Sequence, residues 1–379
     1  MKVALFTEEA GQLIPHPLSD TIQEQAVQLV LCFGQRKILS GNDFYGLLHK
    51  KFPAAVIVIA STAGEICHNT VTDKLTVTAI EFEHTLVKAA SVNISECSNS
   101  REAGMILGKN MLQQKDLCYL LVISDGGKVN GSELVQGLND VNLSNLPITG
   151  GLAGDGADFI ETVVGMDQNP SSGNIVLIGF LGNRLTVRHG SMGGWEVFGP
   201  EKTITRSEAN QLYEINDENA LDLYKKYLGK YADDLPGSAL LFPLALRLPD
   251  QSEQVVRTIL SIDNNTSSMT FAGNVPEGAK VRFMKANFDK LVVAASDAAS
   301  NTIRENETVP RLSLLISCVG RKLILGSRID EEVEAVNEVL GQQTLLSGFY
   351  SYGEISPFNP LSKCELHNQT MTITTFSEQ

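Results

Sequence analysis

The sequence predicts an α/β protein in which layered, mixed sheets are covered by helices and divided between two packed domains. Short, wholly apolar runs such as residues 56–60 are typical of strands covered on both faces, and helical patterns separate them. The chain has 379 residues, which is more than one ordinary hydrophobic core accommodates. The order of strands, helices and a glycine turn also recurs, so we predict internal repeats of a β-α-β-α-β-turn-β unit.

The first unit has two helical patterns between its strands. One begins at Asp20, which can serve as an N-cap, and the other begins at residues 41–43 and is stopped by Pro53. A Gly-Glu-Ile turn follows the last apolar strand. The predicted strands are 1–7, 27–33, 56–60 and 74–82.

The second and third units repeat this order. In the second unit, GGLAGDG at residues 150–156 stands where the first has its Gly-Glu turn. Its predicted strands are 86–94, 117–124, 146–149, 161–166 and 174–181, with helices at 101–112 and 130–140. The predicted strands of the third unit are 281–284, 312–318 and 344–347, with helices at 287–304 and 330–340. Short identities support three diverged copies, but ordinary α/β sequence patterns remain the alternative.

A segment with a different sequence pattern separates the second and third units. Residues 182–200 read as a strand that enters a glycine-rich loop with the only tryptophan, Trp195. A hairpin at 203–215 and a helix at 218–228 follow. We therefore place the domain boundary near residue 215, which gives domains 1–215 and 216–379.

Charge and cysteine usage exclude several classes of protein. A net charge of −14 and a pI near 4.9 argue against nucleic acid or an anionic membrane as a partner. No apolar run reaches the roughly 18 residues of a spanning helix, so we expect no membrane insertion. Six cysteines without a C-x-x-C pair suggest a reduced, cytoplasmic protein.

Two stretches of the chain share an unusual sequence pattern. Residues 61–80 and 348–374 both carry Gly-Glu-Ile, a cysteine, His-Asn and a threonine-rich strand. The shared text predicts that His68 and His367 occupy equivalent positions. It also places Glu65 and Glu354 at equivalent turns, where a carboxylate could bind a ligand amine or accept backbone N–H bonds.

Several blocks together resemble the FIST sensory family. They are GFYSYGEISPF…CELHNQT, SCVGR at 317–321, GGLAGDG, and HGSMGGWEVFGPEKTITRSEANQLYEI, in an order that covers nearly the whole chain. The resemblance implies a FIST N-terminal domain followed by a FIST C-terminal domain. It implies a bacterial signal-transduction protein that binds a small ligand such as an amino acid. The chain lacks an attached kinase, cyclase or methyl-accepting domain, so a separate partner such as a histidine kinase is expected.

Glycine turns at strand ends make concave sites with a few convergent polar groups, and this predicts where a ligand binds. Asp125-Gly126-Gly127 is either a polar strand end at such a pocket or a simple turn. The predicted ligand-binding residues are Tyr350, Tyr352, Glu354, His367, Gly150, Gly151, Gly154 and Asp155.

One branch of the family consists of haem-binding nitric oxide sensors, which makes haem b a candidate cofactor. An axial histidine needs an apolar slot for the porphyrin. His189 is the first choice, because it follows an apolar strand and precedes a glycine-rich loop with Met192 and Trp195. His367 is the second choice. Zinc is disfavoured, since Cys67 and His68 are adjacent on a strand and point to opposite faces.

The sequence favours a non-catalytic protein. It contains no G-x-S-x-G, H-E-x-x-H, kinase or P-loop set. Cys318 with a distant histidine is the remaining enzyme alternative, although its setting resembles a buried strand end.

Overall fold

The computed structural model of the chain describes residues 1–235, 237–248, 254–304, 308–359 and 362–379. Three similar units form its main body. The first unit runs from strand β1 to strand β7. Its elements are β1 (Lys2–Glu9), β2 (Gln12–Pro15), β3 (Leu29–Gly34), α1 (Arg36–Leu39), α2 (Phe44–Lys51), β4 (Val56–Ser61), β5 (Glu65–Cys67), β6 (Thr70–Thr72) and β7 (Thr76–Glu81).

The second unit runs from β8 to β12, and the third begins at β13. The elements of the second unit are β8 (Leu86–Asn93), α3 (Ser100–Leu112), β9 (Leu117–Ser124), α4 (Gly131–Val141), β10 (Ile148–Leu152), β11 (Val164–Met166) and β12 (Asn174–Leu181). Strand β13 (Leu185–Met192) is followed by an inserted sheet with one helix. The insertion comprises β14 (Glu196–Glu208), β15 (Gln211–Ile215), β16 (Glu218–Asn219), α5 (Ala220–Leu228), β17 (Leu244–Arg247), β18 (Gln254–Arg257), β19 (Ile259–Asp263), β20 (Ser268–Phe271) and β21 (Lys280–Lys285).

The third unit resumes after the inserted sheet. Its remaining elements are α6 (Phe288–Ser300), β22 (Leu312–Cys318), α7 (Val319–Leu325), α8 (Ile329–Leu340), β23 (Leu345–Ser351), β24 (Gly353–Pro357), β25 (Cys364–His367) and β26 (Met371–Glu378). Side chains from all three units meet in one hydrophobic core, whereas the inserted sheet has a core of its own.

Each unit contains the same four-stranded sheet. The strand orders are β4-β3-β7-β1, β10-β9-β12-β8 and β23-β22-β26-β13. In each sheet the first two strands are parallel and the other neighbours are antiparallel. The predicted internal repeat is confirmed. The predicted start of the third unit was wrong. The strand predicted at 281–284 belongs to β21, which pairs with β14 and β17 of the inserted sheet.

Each unit also adds the segment after its glycine turn to a neighbouring unit. Strand β5 pairs with β23, β24 pairs with β10, and β11 pairs with β4. The turn glycines Gly64, Gly154 and Gly353 therefore occupy corresponding places in a cyclic exchange. The backbones approach closely there, since a Cβ on Gly154 would lie 2.9 Å from the nitrogen of Ala63. The units cannot separate without losing sheet hydrogen bonds.

The predicted equivalence of His68 and His367 was wrong. His68 lies in the turn between β5 and β6, whereas His367 ends β25 and precedes β26. In register, His367 is opposite Glu354 as Thr72 is opposite Glu65. The hairpin of the third unit is longer than that of the first. Residues that match in the two sequence segments therefore do not occupy equivalent positions in the structure.

The helix predicted from Asp20 was also wrong, since only a single 3₁₀ turn, Glu24–Ala26, forms there. The Asp20 carboxylate accepts hydrogen bonds from the backbone nitrogen of Val3 and from Arg311 Nε, each at 2.8 Å. The side chain therefore links this segment to β1 and to the third unit by hydrogen bonds and does not cap a helix.

Helix α7, by contrast, was not predicted.

The predicted domain boundary near residue 215 falls between β15 and β16, which are paired strands of the inserted sheet. Strand β13 precedes this boundary but belongs by pairing to the third unit. None of the helices in the described ranges is both long enough and apolar enough to cross a membrane.

Candidate functional site

A cleft of about 1060 Å³ lies between the second unit and the inserted sheet. One wall is formed by residues 125–131 and 159–162, and the other by residues 258–261 and 270–273. Tyr352 and the start of α7 also line the cleft, as do single residues of other segments such as Leu152, Asn210 and Leu240. Strands β9, β10 and β22 all end at this cleft. It therefore occupies the carboxyl ends of parallel strands, which is where α/β sheets bind ligands.

The cleft exists because the second unit has a loop where the others have a short helix. Strands β3 and β22 lead into α1 and α7, whereas β9 leads into Asp125-Gly126-Gly127. Asp125 is fully buried, and its carboxylate accepts hydrogen bonds from the nitrogens of Gly127, Lys128 and Gly173 at 2.8, 2.6 and 2.8 Å. These bonds fix the loop in an open shape. The polar strand end therefore does lie at a pocket.

Tyr352 and Phe159 form an aromatic wall of the cleft. Their rings are stacked with centroids 4.7 Å apart and an interplanar angle of 17°. Phe159 is 50% exposed, and its φ of +52° is a strained conformation for a bulky residue. Strain of this kind concentrates at ligand-contacting positions, so the ring is well placed to meet a ligand.

Asp155 supports this wall from behind. Its carboxylate accepts a hydrogen bond from the Tyr352 hydroxyl and three more from the nitrogens of Phe159, Ile160 and Glu161, each at 2.9 Å. Burial alone would raise the pKa of Asp155, but these bonds hold the pKa below its ordinary value. Asp155 also lines a second, smaller pocket of about 160 Å³ on the other side of the loop.

Of the predicted ligand-binding residues, Tyr352 is the one that lines the cleft. Gly150 and Gly151 lie within β10, and Gly154 lies in the turn that follows it, packed against Ala63. A Cβ on Gly150 would lie 1.9 Å from the carbonyl oxygen of Val122, so this glycine lets β10 approach β9.

The structure places Tyr350 and Glu354 in the protein interior, away from the cleft wall. The Tyr350 hydroxyl donates to Glu332 at 2.7 Å. Glu354 accepts hydrogen bonds from Ser351 Oγ at 2.6 Å and from the nitrogen and hydroxyl of Thr370 at 3.1 and 3.0 Å. Burial raises the pKa of Glu354 to about 8, so this carboxyl is neutral near pH 7.

His367 is likewise in the interior. Its Nε2 lies 2.9 Å from the carbonyl oxygen of Ser356, and its ring meets Phe358 edge-on at 4.6 Å. Burial lowers the pKa of His367 to about 4, so the imidazole is uncharged. Glu65, the counterpart of Glu354, is buried as well, and burial raises its pKa to about 7.

His189, the first-choice haem ligand, lies within β13 and not at its end, because the strand continues to Met192. It is half-buried, and burial together with Arg188 and Arg304 lowers its pKa. The neighbouring Gly190 does not provide room for a porphyrin, since a Cβ there would lie 2.2 Å from the carbonyl oxygen of Ala298 in α6.

No zinc-like arrangement is found in the described part of the chain, where no three His, Cys, Asp or Glu side chains are grouped to bind a metal ion. Cys318 does line the cleft, as the last residue of β22. Burial, with a further contribution from Glu354, raises the pKa of its thiol, so Cys318 is protonated near pH 7.

The sequence did not predict the wall that the inserted sheet contributes. Thr258, Leu260 and Phe271 belong to it, and nothing in their local text marks a site. The apolar pair Phe159-Ile160, on the opposite wall, was also missed, although its place after the GGLAGDG turn is a local signal that could have revealed it. Both side chains are exposed, Ile160 by 76%.

Comparison with known proteins covers most of the chain. The family model of the FIST N domain matches residues 28–218, and that of the FIST C domain matches residues 220–357. No curated protein matches the chain. Among solved structures, a cyanuric acid hydrolase from A. caulinodans is similar at 8% sequence identity and a TM-score of 0.34. That match covers 94% of this chain and 92% of the hydrolase.

Proposed function

Because this chain belongs to the FIST family, we propose that it is a non-catalytic sensor that binds a small ligand in the cleft and acts through a separate partner. FIST domains are linked to small-ligand sensing in signal transduction. The observation that carries the proposal is the cleft, whose volume of about 1060 Å³ is at the upper end of that of small-molecule sites.

An amino acid is the ligand class that we propose first. The stacked rings of Phe159 and Tyr352 offer apolar surface to a side chain, and Lys128 and Glu161 offer charges of both signs. A zwitterion with an apolar part matches such a lining. For the partner we propose a histidine kinase, on the strength of the family relationship.

A haem-based nitric oxide sensor is the alternative, and the geometry does not favour it. No histidine is among the residues that line the cleft. His189 lies on β13 beside tightly packed Gly190, and His367 is buried with its Nε2 already paired. Among the described residues, neither imidazole lines the cleft or the smaller pocket beside Asp155.

A thermal-shift screen with the amino acids, nucleotides and haem tests the proposal. A ligand that binds the folded state at 100 times its Kd should stabilise the protein by about 2.7 kcal/mol. We expect an amino acid to do so without being consumed.

Two other outcomes would contradict this proposal. Consumption of a compound that disappears in Cys318→Ala would make the protein an enzyme. A Soret band after haem loading that disappears in His189→Ala, but persists in the control His84→Ala, would establish the haem alternative.

A further inference from the structure

A buried cation lies behind one wall of the cleft, outside its lining. Arg257, the last residue of β18, is 2% exposed and lies behind Gly273 in the cleft wall, where a Cβ would be 2.9 Å from its Nε. Its guanidinium donates to the carbonyl oxygens of Asn274 at 3.1 Å, Val256 at 3.2 Å and Leu366 at 2.9 Å. No carboxylate of the described residues is hydrogen-bonded to it. Burial lowers the pKa of Arg257 only to about 10, so it is charged at neutral pH.

The N-terminus of α4 lies at the same end of the cleft. Asn130 and Gly131 line the cleft, and the 11-residue helix directs its positive end toward it. Asn130 Nδ2 donates to Asn274 Oδ1 at 3.0 Å, and Ser132 Oγ accepts from the nitrogen of Asn274 at 3.2 Å. These contacts hold the helix end against the wall that covers Arg257.

Thr258 supplies an unused hydrogen-bonding group in the same wall of the cleft. It follows Arg257, lines the cleft and is 5% exposed. Its Oγ1 has no hydrogen-bond partner among the residues that the structure describes. A buried hydroxyl without a partner is unfavourable, which suggests that a ligand provides one.

The acidic side chains of the cleft do not cancel this positive end. The Asp125 oxygens are occupied by three backbone N–H groups. Glu161 is exposed at the rim, with its carboxylate 3.8 Å from Arg36. An anion at the base of the cleft therefore faces the α4 N-terminus and Thr258, with the Arg257 guanidinium behind Gly273 of the same wall.

We propose that the base of the cleft is an anion subsite that binds the carboxylate of the ligand, with Thr258 Oγ1 donating a hydrogen bond. Arg257 and α4 supply the positive potential, and the Phe159 and Tyr352 rings cover the apolar part of the ligand. This inference rests on the proposed function and narrows its ligand to an amino acid with an apolar side chain or a related carboxylic acid, bound through its carboxylate.

The test compares 3-phenylpropionate with its neutral amide by ligand-observed NMR titration. We expect the carboxylate to bind and the amide to bind at least tenfold more weakly, since hydrogen bonds to charged groups are the stronger ones. Thr258→Val should weaken binding of the carboxylate about tenfold and binding of the amide by less, because a hydrogen bond to a neutral carbonyl is the weaker one. It should leave the melting temperature unchanged or raised, because the lost hydroxyl had no partner. Thr76→Val in β7 is the matched control, because its buried hydroxyl likewise has no partner among the described residues and lies outside the cleft lining; it should bind both compounds as the wild type does.

Three results would overturn the subsite: no binding of the carboxylate, equal binding of carboxylate and amide, or unchanged carboxylate affinity in Thr258→Val. Equal binding of both compounds would leave the cleft intact as a binding site. The proposed function is tested separately: it fails if no compound of the thermal-shift screen stabilises the protein.

Discussion

Replacing Arg321 by methionine is expected to remove about 3 to 5 kcal/mol from the free energy of unfolding, because it leaves a buried carboxylate without its cation. Arg321 and Glu332 are both completely buried and paired at 2.8 Å. The guanidinium also donates to the carbonyl oxygens of Gly193 and Leu291, each at 2.7 Å. One side chain thus joins α7, α8, α6 and the loop after β13. Urea denaturation at neutral pH measures the loss.

The matched control is Arg328→Met in the neighbouring 3₁₀ turn. Arg328 pairs with Glu331 and Asp289, but its side chain is 42% exposed. Exposed ion pairs contribute little, so we expect only a small change in the denaturation midpoint. Equal losses in the two variants would show that burial of the Arg321–Glu332 pair is not what stabilises the third unit.

Replacing Glu354 by glutamine is expected to change how stability depends on pH. The pKa of Glu354 is about 8 in the folded chain against an ordinary value of 4.5, so the folded state retains a proton that the unfolded chain loses. Wild-type stability therefore falls as pH rises through this window and levels off above about pH 8. Glutamine cannot ionise and can keep bonds to Ser351 and Thr370.

Denaturation of both proteins from about pH 5 to pH 9 measures the effect, and the variant should gain a few kcal/mol relative to the wild type. Glu65 and His367 contribute equally to the pH dependence of the free energy of unfolding in both proteins. Their contributions therefore cancel when the wild type is subtracted from the variant. His367, with its lowered pKa, destabilises both proteins only as pH falls below about 6.5. Parallel pH curves would show that Glu354 is ionised in the folded protein.

Several central strands could be predicted because their side chains are apolar on both faces. The runs 117–124, 174–181 and 312–318 match β9, β12 and β22 along their whole lengths. The repeat was also visible in sequence, since each unit needs a glycine turn where it crosses to its neighbour. Pairing partners were not visible, and so the outer strand of the third unit, β13, was assigned to the wrong part of the chain.

Only the part of the cleft lining that lies outside the inserted sheet could be predicted from the sequence. Asp125-Gly126-Gly127 and Tyr352 stand beside apolar strands, so their position at strand ends followed from the sequence. Thr258 belongs to the inserted sheet and reaches the cleft through tertiary packing, which its local sequence does not encode. Glu354 and His367 lie in the interior, where polar residues of a glycine-rich stretch are satisfied by internal hydrogen bonds, and the sequence does not distinguish this setting from a pocket.

The most direct test of the account is to fill the cleft without disturbing the fold. Gly127 lines the cleft and is exposed, and a Cβ there would meet no atom nearer than 3.7 Å. Gly127→Phe should therefore fold normally and occupy the space of the ligand. Gly41, with no atom within 4 Å of its Cβ position, lies outside the cleft lining and provides the control Gly41→Phe.

The measurement is the thermal stabilisation of the wild type and both variants by an equimolar mixture of the amino acids. We predict stabilisation of the wild type and of Gly41→Phe, and none of Gly127→Phe. Undiminished stabilisation of Gly127→Phe would contradict the account, since the ligand would then bind somewhere other than this cleft.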